Sequence, residues 1–353
     1  MHPDLEADFR YCTEMLPRVS RTFALNISVL RGELHRSIVV SYLWCRILDT
    51  IEDAHEFPTD RKIQALERFE KVFEEDGLVN LGRLEALLAE LQDLDGEADE
   101  IELVQNAARV ARVYNSLSAE HRTAIEPSLF AMSRGMADYQ SRGGIPAAAG
   151  LDDEADLDRY CYVVAGTVGE LLTGLFLQEA SVDSYRETVL RSLAVSFGLG
   201  LQTTNITKDV MVDLERGWCY FPKSIMSRAL EGARDASLPS FDAVRRSLSF
   251  MIPKCLSHLR DALAYVTALP RSSRRIRLFC IWPVWLAART LEMMSDPDFD
   301  YRPGVSPKIT REDVKSVVLR TSLMFWSDRW LRRDFDRMGT AIERNLAVRS
   351  GSA

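Results

Sequence analysis

Helical periodicity dominates the chain and restricts the folds open to it. Prolines are absent from 59 to 126, and this stretch is rich in Leu, Ala, Glu and Arg at the spacing of one helix face. No segment alternates polar and apolar residues for long enough to form a sheet. No linker separates two halves of the sequence. We therefore predict an all-α bundle that forms a single domain over residues 1–353.

Acidic residues occur in two pairs with the spacing of one helical turn. The pairs are Asp49 with Asp53 and Asp209 with Asp213. On a helix, both carboxylates of a pair project from one face. The segments 37–46 and 196–201, which precede them, are too apolar for a solvated surface. A buried carboxylate needs a cationic partner, and two such faces are what a cluster of Mg²⁺ ions carrying a diphosphate requires. One pair alone would be typical of a solvated helix face.

Basic and hydroxyl residues near these pairs are candidates for binding phosphate. Arg46 lies one turn before Asp49, and Lys208 directly precedes Asp209. Each could form a structural ion pair with its aspartate or contact phosphate oxygens directly. The segment Ser20-Arg21-Thr22 resembles a phosphate grip at a helix start, with a simple helix N-cap as the alternative.

Two glycines fall inside the apolar helical segment 159–170. In mid-helix, Gly166 and Gly169 each cost about 1 kcal/mol relative to Ala. Either close packing of two helices or a ligand against the backbone would offset this cost. The segment 196–200, shortly before the second aspartate pair, likewise has glycines within an apolar helical stretch.

Charge and cysteine usage exclude several classes of protein. The net charge of −8 argues against nucleic acid as a partner. Six cysteines are scattered without metal-binding spacing, and several lie in apolar runs, as in a protein with reduced, buried thiols. No uninterrupted apolar run has the length of a transmembrane helix, and the N-terminus does not resemble a signal peptide. We expect a cytoplasmic protein, at most peripheral on a membrane.

Three further stretches leave alternatives open. The basic cluster 271–277, above all Arg274 and Arg275, could bind phosphate groups or be a solvated face. The amphipathic stretch 323–333, with Trp326 and Trp330 predicted on one face, could pack on the core or lie on a membrane surface. The acidic region 90–102 is predicted to be a surface loop with flanking helix ends. No GxGxxG follows a strand, which excludes a Rossmann cofactor site.

Four ordered motifs resemble those of the squalene/phytoene synthase family, the head-to-head trans-prenyltransferases. They are SRTF at 20–23, DTIED at 49–53, YCYVVAGTVG at 160–169 and LQTTNITKDVMVD at 201–213. The segment 279–287 resembles a stretch of the squalene synthase branch, whereas YCYVVAGTVG is closer to the corresponding motif of phytoene synthases. The resemblance implies an isoprenoid-synthase-like helical bundle around a central apolar cavity.

The same resemblance implies a role for each matching residue. The four paired aspartates, Asp49, Asp53, Asp209 and Asp213, would be metal ligands and part of the catalytic machinery. Tyr160 would handle a proton or steady a cation. The residues implied in diphosphate binding are Ser20, Arg21, Arg46, Gln202, Asn205 and Lys208. Two departures stand out, because Lys208 and Trp218 occupy places where many members carry arginine.

Together these features predict a Mg²⁺-dependent prenyltransferase. By resemblance, it would condense two prenyl diphosphates head to head. Farnesyl diphosphate is the favoured substrate, and geranylgeranyl diphosphate is the other candidate. Squalene would form through presqualene diphosphate with NADPH as reductant, and Arg274 and Arg275 could hold the phosphates of NADPH. One alternative is a phytoene or dehydrosqualene synthase without the reductive step. Another is a non-catalytic family member that serves as a binding or assembly factor.

Overall fold

Regular structure in this protein is helical. The computed structural model describes residues 3–145, 150–230, 241–299, 301 and 305–351. Across these ranges there are sixteen α-helices and no β-strand, only two isolated β-bridges. The predicted all-α fold class is confirmed.

The chain divides into two compact units. The first comprises Met1–Gly144 and Glu170–Ser181, and the second comprises Ile145–Gly169 and Val182–Ala353. The single domain over 1–353 and its central apolar cavity stay predictions.

In the first unit, a helix with a largely apolar middle section lies among amphipathic ones. The helices are α1 (Pro3–Val19), α2 (Arg21–Ile27), α3 (Gly32–Asp53), α4 (Thr59–Phe69), α5 (Leu81–Ala89), α6 (Ala98–Gln105), α7 (Ala107–Asn115) and α8 (Ala119–Ser141). Helix α3 is buried along most of its length because apolar residues occupy most sides of the helix between Ile38 and Leu48. Its Trp44 packs edge-on against Phe69, with ring centroids 5.5 Å apart, and lies 6.4 Å from the ring of Phe73. This aromatic packing anchors α3, which carries the first aspartate pair.

In the second unit, α11 is the longest helix and packs against α13 and α14. The helices are α9 (Glu154–Cys161), α10 (Thr167–Glu179, shared with the first unit), α11 (Ser184–Glu215), α12 (Lys223–Leu230), α13 (Phe241–Ala268), α14 (Arg274–Ser295), α15 (Arg311–Met324) and α16 (Asp328–Gly351). Between α11 and α13, the Ser196 hydroxyl lies 2.8 Å from Nδ1 of His258 and donates to Asp261 at 2.7 Å.

Close backbone packing explains the glycines of the 160–169 motif. A methyl group at Gly169 would overlap the carbonyl oxygen of Ala194, and one at Gly198 would overlap the carbonyl oxygen of Ala165. The segment 165–169, which includes the start of α10, and helix α11 therefore approach each other at a distance that only glycine permits. Of the two explanations offered by the sequence, close helix packing is the one observed.

The amphipathic stretch 323–333 differs from the prediction in its helix continuity and in the placement of its two tryptophans. The stretch 323–333 is not one helix, because α15 ends at Met324 and α16 begins at Asp328. Ser327 caps the N-terminus of α16, since its hydroxyl oxygen accepts the Trp330 N–H at 3.3 Å. Consequently Trp326 lies in the turn and is exposed, whereas Trp330 is half-buried on α16.

One helical stretch of the described chain, Glu154–Glu179, is long and apolar enough to cross a membrane by length and composition. Half of its most apolar window is buried. Core helices of soluble proteins share this composition, so the stretch alone is weak evidence for a membrane protein. All six cysteines are free and buried.

Candidate active site

The first aspartate pair lies at the C-terminal end of α3. Asp49 is half-buried, and Asp53, the last residue of the helix, is exposed. The backbone leaving the helix is held by Asp95, whose carboxylate accepts the N–H groups of His55, Glu56 and Phe57 at 2.8, 3.1 and 2.9 Å. This loop therefore has a fixed conformation directly after the DTIED motif.

Asp49 lies in an environment that disfavours its own negative charge. Burial raises the pKa of its carboxyl to about 7, Arg46 acts in the opposite direction, and Asp53 and Glu100 add to the rise. The Arg46 guanidinium lies 3.9 Å from Asp49 and 3.5 Å from Glu100, and it donates to the Tyr42 hydroxyl at 3.1 Å. Arg46 thus lies between two carboxylates and offsets the negative charge of Asp49 only in part.

Glu52, inside the same motif, adds to the negative charge. It is buried, and its pKa lies well above the ordinary value because of desolvation and the neighbouring Asp53 and Asp49. Lys62 opposes this rise and donates from its ammonium to the Glu52 carbonyl oxygen at 3.1 Å. The end of α3 therefore carries more acidic than basic groups.

This donor set fits a divalent cation. Crowded carboxylates that raise each other's pKa are stabilised by a cation, and Mg²⁺ prefers their oxygens. In the described ranges, no three His, Cys, Asp or Glu side chains form a complete metal-binding group. Mg²⁺ usually takes one or two carboxylates, with water and substrate phosphates completing its shell. The carboxylates of this helix end suit such a partial protein shell.

Ser20 begins α2 as an N-cap. Its hydroxyl oxygen accepts the N–H of Phe23 at 3.3 Å, which is the alternative that the sequence left open beside a phosphate grip. A hydroxyl has two lone pairs, so this bond leaves capacity for a ligand. The prediction for the Arg21 side chain lies outside the described residues.

The second aspartate pair lies on the last turns of α11. The Lys208 ammonium lies 3.1 Å from Oδ2 of Asp209, and the Ser306 hydroxyl donates to Oδ1 of the same carboxylate. Asn205, one turn earlier, is exposed. Gln202, half-buried, lies about two turns before Asp209. Helical spacing thus places Gln202, Asn205 and the aspartates along one stripe.

Helix α11 ends directly after this pair in a glycine-dependent cap. Gly217 has a φ of +81°, its N–H donates to the Leu214 carbonyl at 3.1 Å, and the Trp218 N–H donates to the Asp213 carbonyl at 2.8 Å. These two bonds form a Schellman motif, which satisfies the last carbonyl groups of the helix. Asp213 is therefore fixed in a well-defined final turn.

Tyr160 lies on α9 and is buried. Its ring packs at 5.1 Å from that of Tyr220, in the loop that follows α11. Directly after α9, Tyr162–Gly166 adopts a π-helical turn, for which the sequence gives no signal. Such turns are rare in proteins, and those that occur often lie at functional sites.

The basic cluster 271–277 is divided by the structure. The Arg277 side chain is fully buried and lies 2.6 Å from Asp328, and Arg271 lies 2.7 Å from the same carboxylate. These two arginines are structural. Arg274 stacks over the Phe325 ring at 5.3 Å, and neither it nor Arg275 forms an ion pair with a described residue. Arg274 and Arg275 are the members of the cluster with charge available to a ligand.

Two residues that contact predicted site residues, one in each unit, were missed by sequence reasoning. Glu100 contacts Arg46 from within the acidic region predicted as a surface loop, but helix α6 begins at Ala98 and presents it. Ser306 contacts Asp209 from 97 positions away in sequence. Neither position carries a local signal, although the acidic run around Glu100 marks its neighbourhood.

Comparison with known proteins places these motifs in context. The squalene/phytoene synthase family profile matches residues 16–313. Squalene synthase of Mus musculus is 26% identical over 81% of this chain and 64% of its own length. The Schizosaccharomyces pombe enzyme is 30% identical over 82% of this chain and 61% of its own length. The alignments thus span less than two thirds of these two relatives. Squalene synthase of Solanum lycopersicum is 31% identical over 90% of this chain and 72% of its own length.

Solved structures share the fold. A ligand complex of TcSQS superposes with a TM-score of 0.73 at 23% identity, covering 98% of this chain and 99% of that one. A ligand complex of a dehydrosqualene synthase superposes with a TM-score of 0.60 at 18% identity, covering 92% and 98%.

Proposed function

This chain belongs to the squalene/phytoene synthase family, and we propose that it condenses two molecules of farnesyl diphosphate head to head to squalene. In the first half-reaction, one substrate loses diphosphate from C1. A bond forms from that carbon to the double bond of the second substrate, and proton loss gives the cyclopropyl product presqualene diphosphate. Loss of the second diphosphate, rearrangement and hydride transfer from NADPH then give squalene.

The observation that carries this proposal is the position of the two aspartate pairs. Each pair lies within a family motif, at the C-terminal end of a helix, with a basic residue beside its first aspartate: Arg46 at 3.9 Å from Asp49 and Lys208 at 3.1 Å from Asp209. We propose Asp49, Asp53, Asp209 and Asp213 as ligands of Mg²⁺. When bound, the metal would act as a Lewis acid on the leaving diphosphate.

The basic and polar residues have matching roles in this proposal. Arg46 and Lys208 neutralise phosphate oxygens, with Ser20, Arg21, Gln202 and Asn205 as further contacts. Arg46 is already oriented by Tyr42 and Glu100, so it needs little reorganisation to meet an anion. Lys208 provides charge without the two-pronged geometry of arginine. Tyr160, packed against Tyr220, either takes a proton or steadies a cation.

NADPH use is a separate part of the proposal. Arg274 and Arg275 have charge available for its phosphates, whereas Arg271 and Arg277 share an ion pair with Asp328. The similarity to squalene synthases of three organisms, at 26–31% identity, supports the reductive reaction over its alternative. That alternative, a phytoene or dehydrosqualene synthase, would use the same residues and release its product by proton loss.

The test is product analysis with the purified chain. Protein is incubated with Mg²⁺ and either farnesyl or geranylgeranyl diphosphate, with and without NADPH, and the products are extracted and identified. We expect squalene only with NADPH, and presqualene diphosphate without it. A dehydrosqualene or phytoene product indifferent to NADPH would assign the chain to the carotenoid branch.

A non-catalytic binding role is the remaining candidate. No turnover of either substrate by a folded protein would favour it over catalysis. The buried thiols are those of a protein from a reducing compartment, so we propose a cytoplasmic location with prenyl diphosphates as partners and no nucleic acid.

A further inference from the structure

Large apolar side chains are exposed along one face of α15. Leu319 is 64% exposed, Leu323 65% and Trp326, in the turn that follows, 54%. A step of four residues places Leu319 and Leu323 on one helical stripe, and Trp326 follows three residues later in the turn. The exposed Lys315 continues this stripe one turn earlier. Single exposed apolar residues are common, but three between positions 319 and 326 form a patch.

The opposite face of α15 accounts for its packing without this patch. Val317 and Thr321 are buried there, and the Arg320 guanidinium donates to Asp334 of α16 at 3.3 Å. The Trp326 indole N–H donates to the Leu323 carbonyl at 3.1 Å, so the ring can enter an apolar medium without losing a hydrogen bond. The patch is therefore unnecessary for the fold.

A row of arginines begins directly after the patch. Arg329, Arg333 and Arg337 are four residues apart on α16 and line a hollow of about 650 Å³ together with Ser327, the residue after Trp326. Arg329 and Arg333 form no ion pair with a described residue, while Arg337 lies 2.6 Å from Asp334. The row thus adjoins the patch through a continuous stretch of chain.

The charge of this region is opposite to that of the whole chain. The net charge of the chain is −8. Here, however, Asp328 is neutralised by Arg271 and Arg277, and Asp334 by Arg320 and Arg337. The exposed Asp336 offsets one arginine. A basic surface beside an apolar patch remains on an acidic protein.

We propose that this α15–α16 surface, defined by Leu319, Leu323, Trp326, Arg329 and Arg333, docks onto a bilayer that contains anionic lipids. Apolar side chains enter the boundary between headgroups and acyl chains, where tryptophan is favoured. The arginines meet lipid phosphates, and a fluid lipid surface satisfies them without a fixed partner for each charge. The proposal does not depend on the reaction assigned above.

Vesicle flotation of the full chain tests the proposal. The vesicles contain phosphatidylcholine alone or phosphatidylcholine with phosphatidylglycerol. Binding should require the anionic lipid and fall when salt is raised, because salt screens the arginines. Arg329→Gln and Arg333→Gln should each lower the partition coefficient about fivefold. Leu323→Ser and Trp326→Ser should each lower it by roughly tenfold.

Matched controls separate the surface from general effects. Tyr185→Ser removes an apolar side chain that is 77% exposed on α11, and Arg10→Gln removes an exposed arginine on α1. Both should bind vesicles as the unmodified chain does. Circular dichroism and thermal melting confirm that each variant is folded.

Three outcomes would overturn the proposal. The first is equal binding by surface variants and controls, or no binding to anionic vesicles. The second is release by inorganic phosphate but not by chloride at equal ionic strength, which would indicate a site for free phosphate. The third is a dimer in sedimentation that Leu319→Ser or Leu323→Ser dissociates, which would assign the patch to a second copy of this chain.

Discussion

The Ser306 hydroxyl donates a hydrogen bond to Oδ1 of Asp209, a proposed metal ligand, while the Lys208 ammonium lies 3.1 Å from Oδ2 of the same carboxylate. Both oxygens of Asp209 are thus oriented by neighbours. Ser306 lies in the segment before α15, so the position of this carboxylate depends on a segment that carries none of the family motifs described above.

Removing this hydroxyl should weaken metal binding. Groups that orient a ligand typically contribute 10- to 100-fold in affinity, and for a single neutral hydroxyl we expect Ser306→Ala to cost about tenfold. Terbium luminescence, titrated in the absence of substrate, measures this independently of turnover. Ser316→Ala, exposed on α15, is the control. Unchanged or tighter binding would mean that Ser306 does not assist Asp209.

The proposed metal ligands should be essential for turnover. Asp49→Asn and Asp213→Asn retain the side-chain shape but remove a charge that the metal needs. We expect each to lower turnover of farnesyl diphosphate by about a hundredfold or more at saturating Mg²⁺, because Lewis-acid stabilisation is worth several kcal/mol. Asp138→Asn, an exposed acid on α8, should leave turnover unchanged. Normal turnover by both variants would refute the metal assignment.

Asp328 should be a major contributor to stability. It faces Arg277, whose side chain is fully buried and also donates to the carbonyl groups of Val266 and Leu269. Asp328→Asn would leave that buried guanidinium without its counter-charge, at a cost of about 3 kcal/mol. Urea denaturation at pH 7 measures the change. The exposed Asp336→Asn should shift the midpoint little, and a similar loss in both would contradict the prediction.

The same ion pair should make stability depend on pH. Desolvation raises the pKa of Asp328, but hydrogen bonds from Arg271 and Arg277 outweigh it and hold the pKa below its ordinary value. A carboxyl with a lowered pKa in the folded state stabilises the fold above its unfolded pKa of about 3.9. This contribution is lost as the pH falls through the folded pKa. The stability difference between the unmodified chain and Asp328→Asn should therefore shrink below about pH 4. A constant difference from pH 6 to pH 3 would argue against it.

Two glycine-to-alanine changes should act in opposite directions. Gly217 has a φ of +81° in the cap of α11, where alanine is strained, so Gly217→Ala should destabilise the fold by about 1 kcal/mol. Gly82 is exposed within α5, where alanine is the better helix former, so Gly82→Ala should stabilise it by about 0.5 kcal/mol. Urea midpoints give both signs, and equal signs would reject this account of the cap.

Local patterns in the sequence were sufficient to predict the helices and to predict which residues share a helix face. Asp49 and Asp53 share α3, and Asp209 shares α11 with Asp213, because helical periodicity depends only on nearby residues. The contact of Ser306 with Asp209 could not be predicted, because tertiary packing determines contacts between distant segments. The break between Met324 and Asp328 did have a signal, since Ser327 is a favoured N-cap residue. The amphipathic pattern of the flanking residues concealed it.

The close backbone packing at Gly169 and Gly198 fixes the position of the two packed helical segments along each other. Asp209 lies eleven residues beyond Gly198 on the same helix, a rise of about 16 Å, and Tyr160 lies on the helix that leads into the same contact. Sliding either helix would drive a carbonyl oxygen into a side chain, because only the glycines leave room. The spacing of Tyr160 and Asp209 is therefore set by main-chain atoms. Surrounding apolar side chains can change in size over evolution without altering the distance between these two groups.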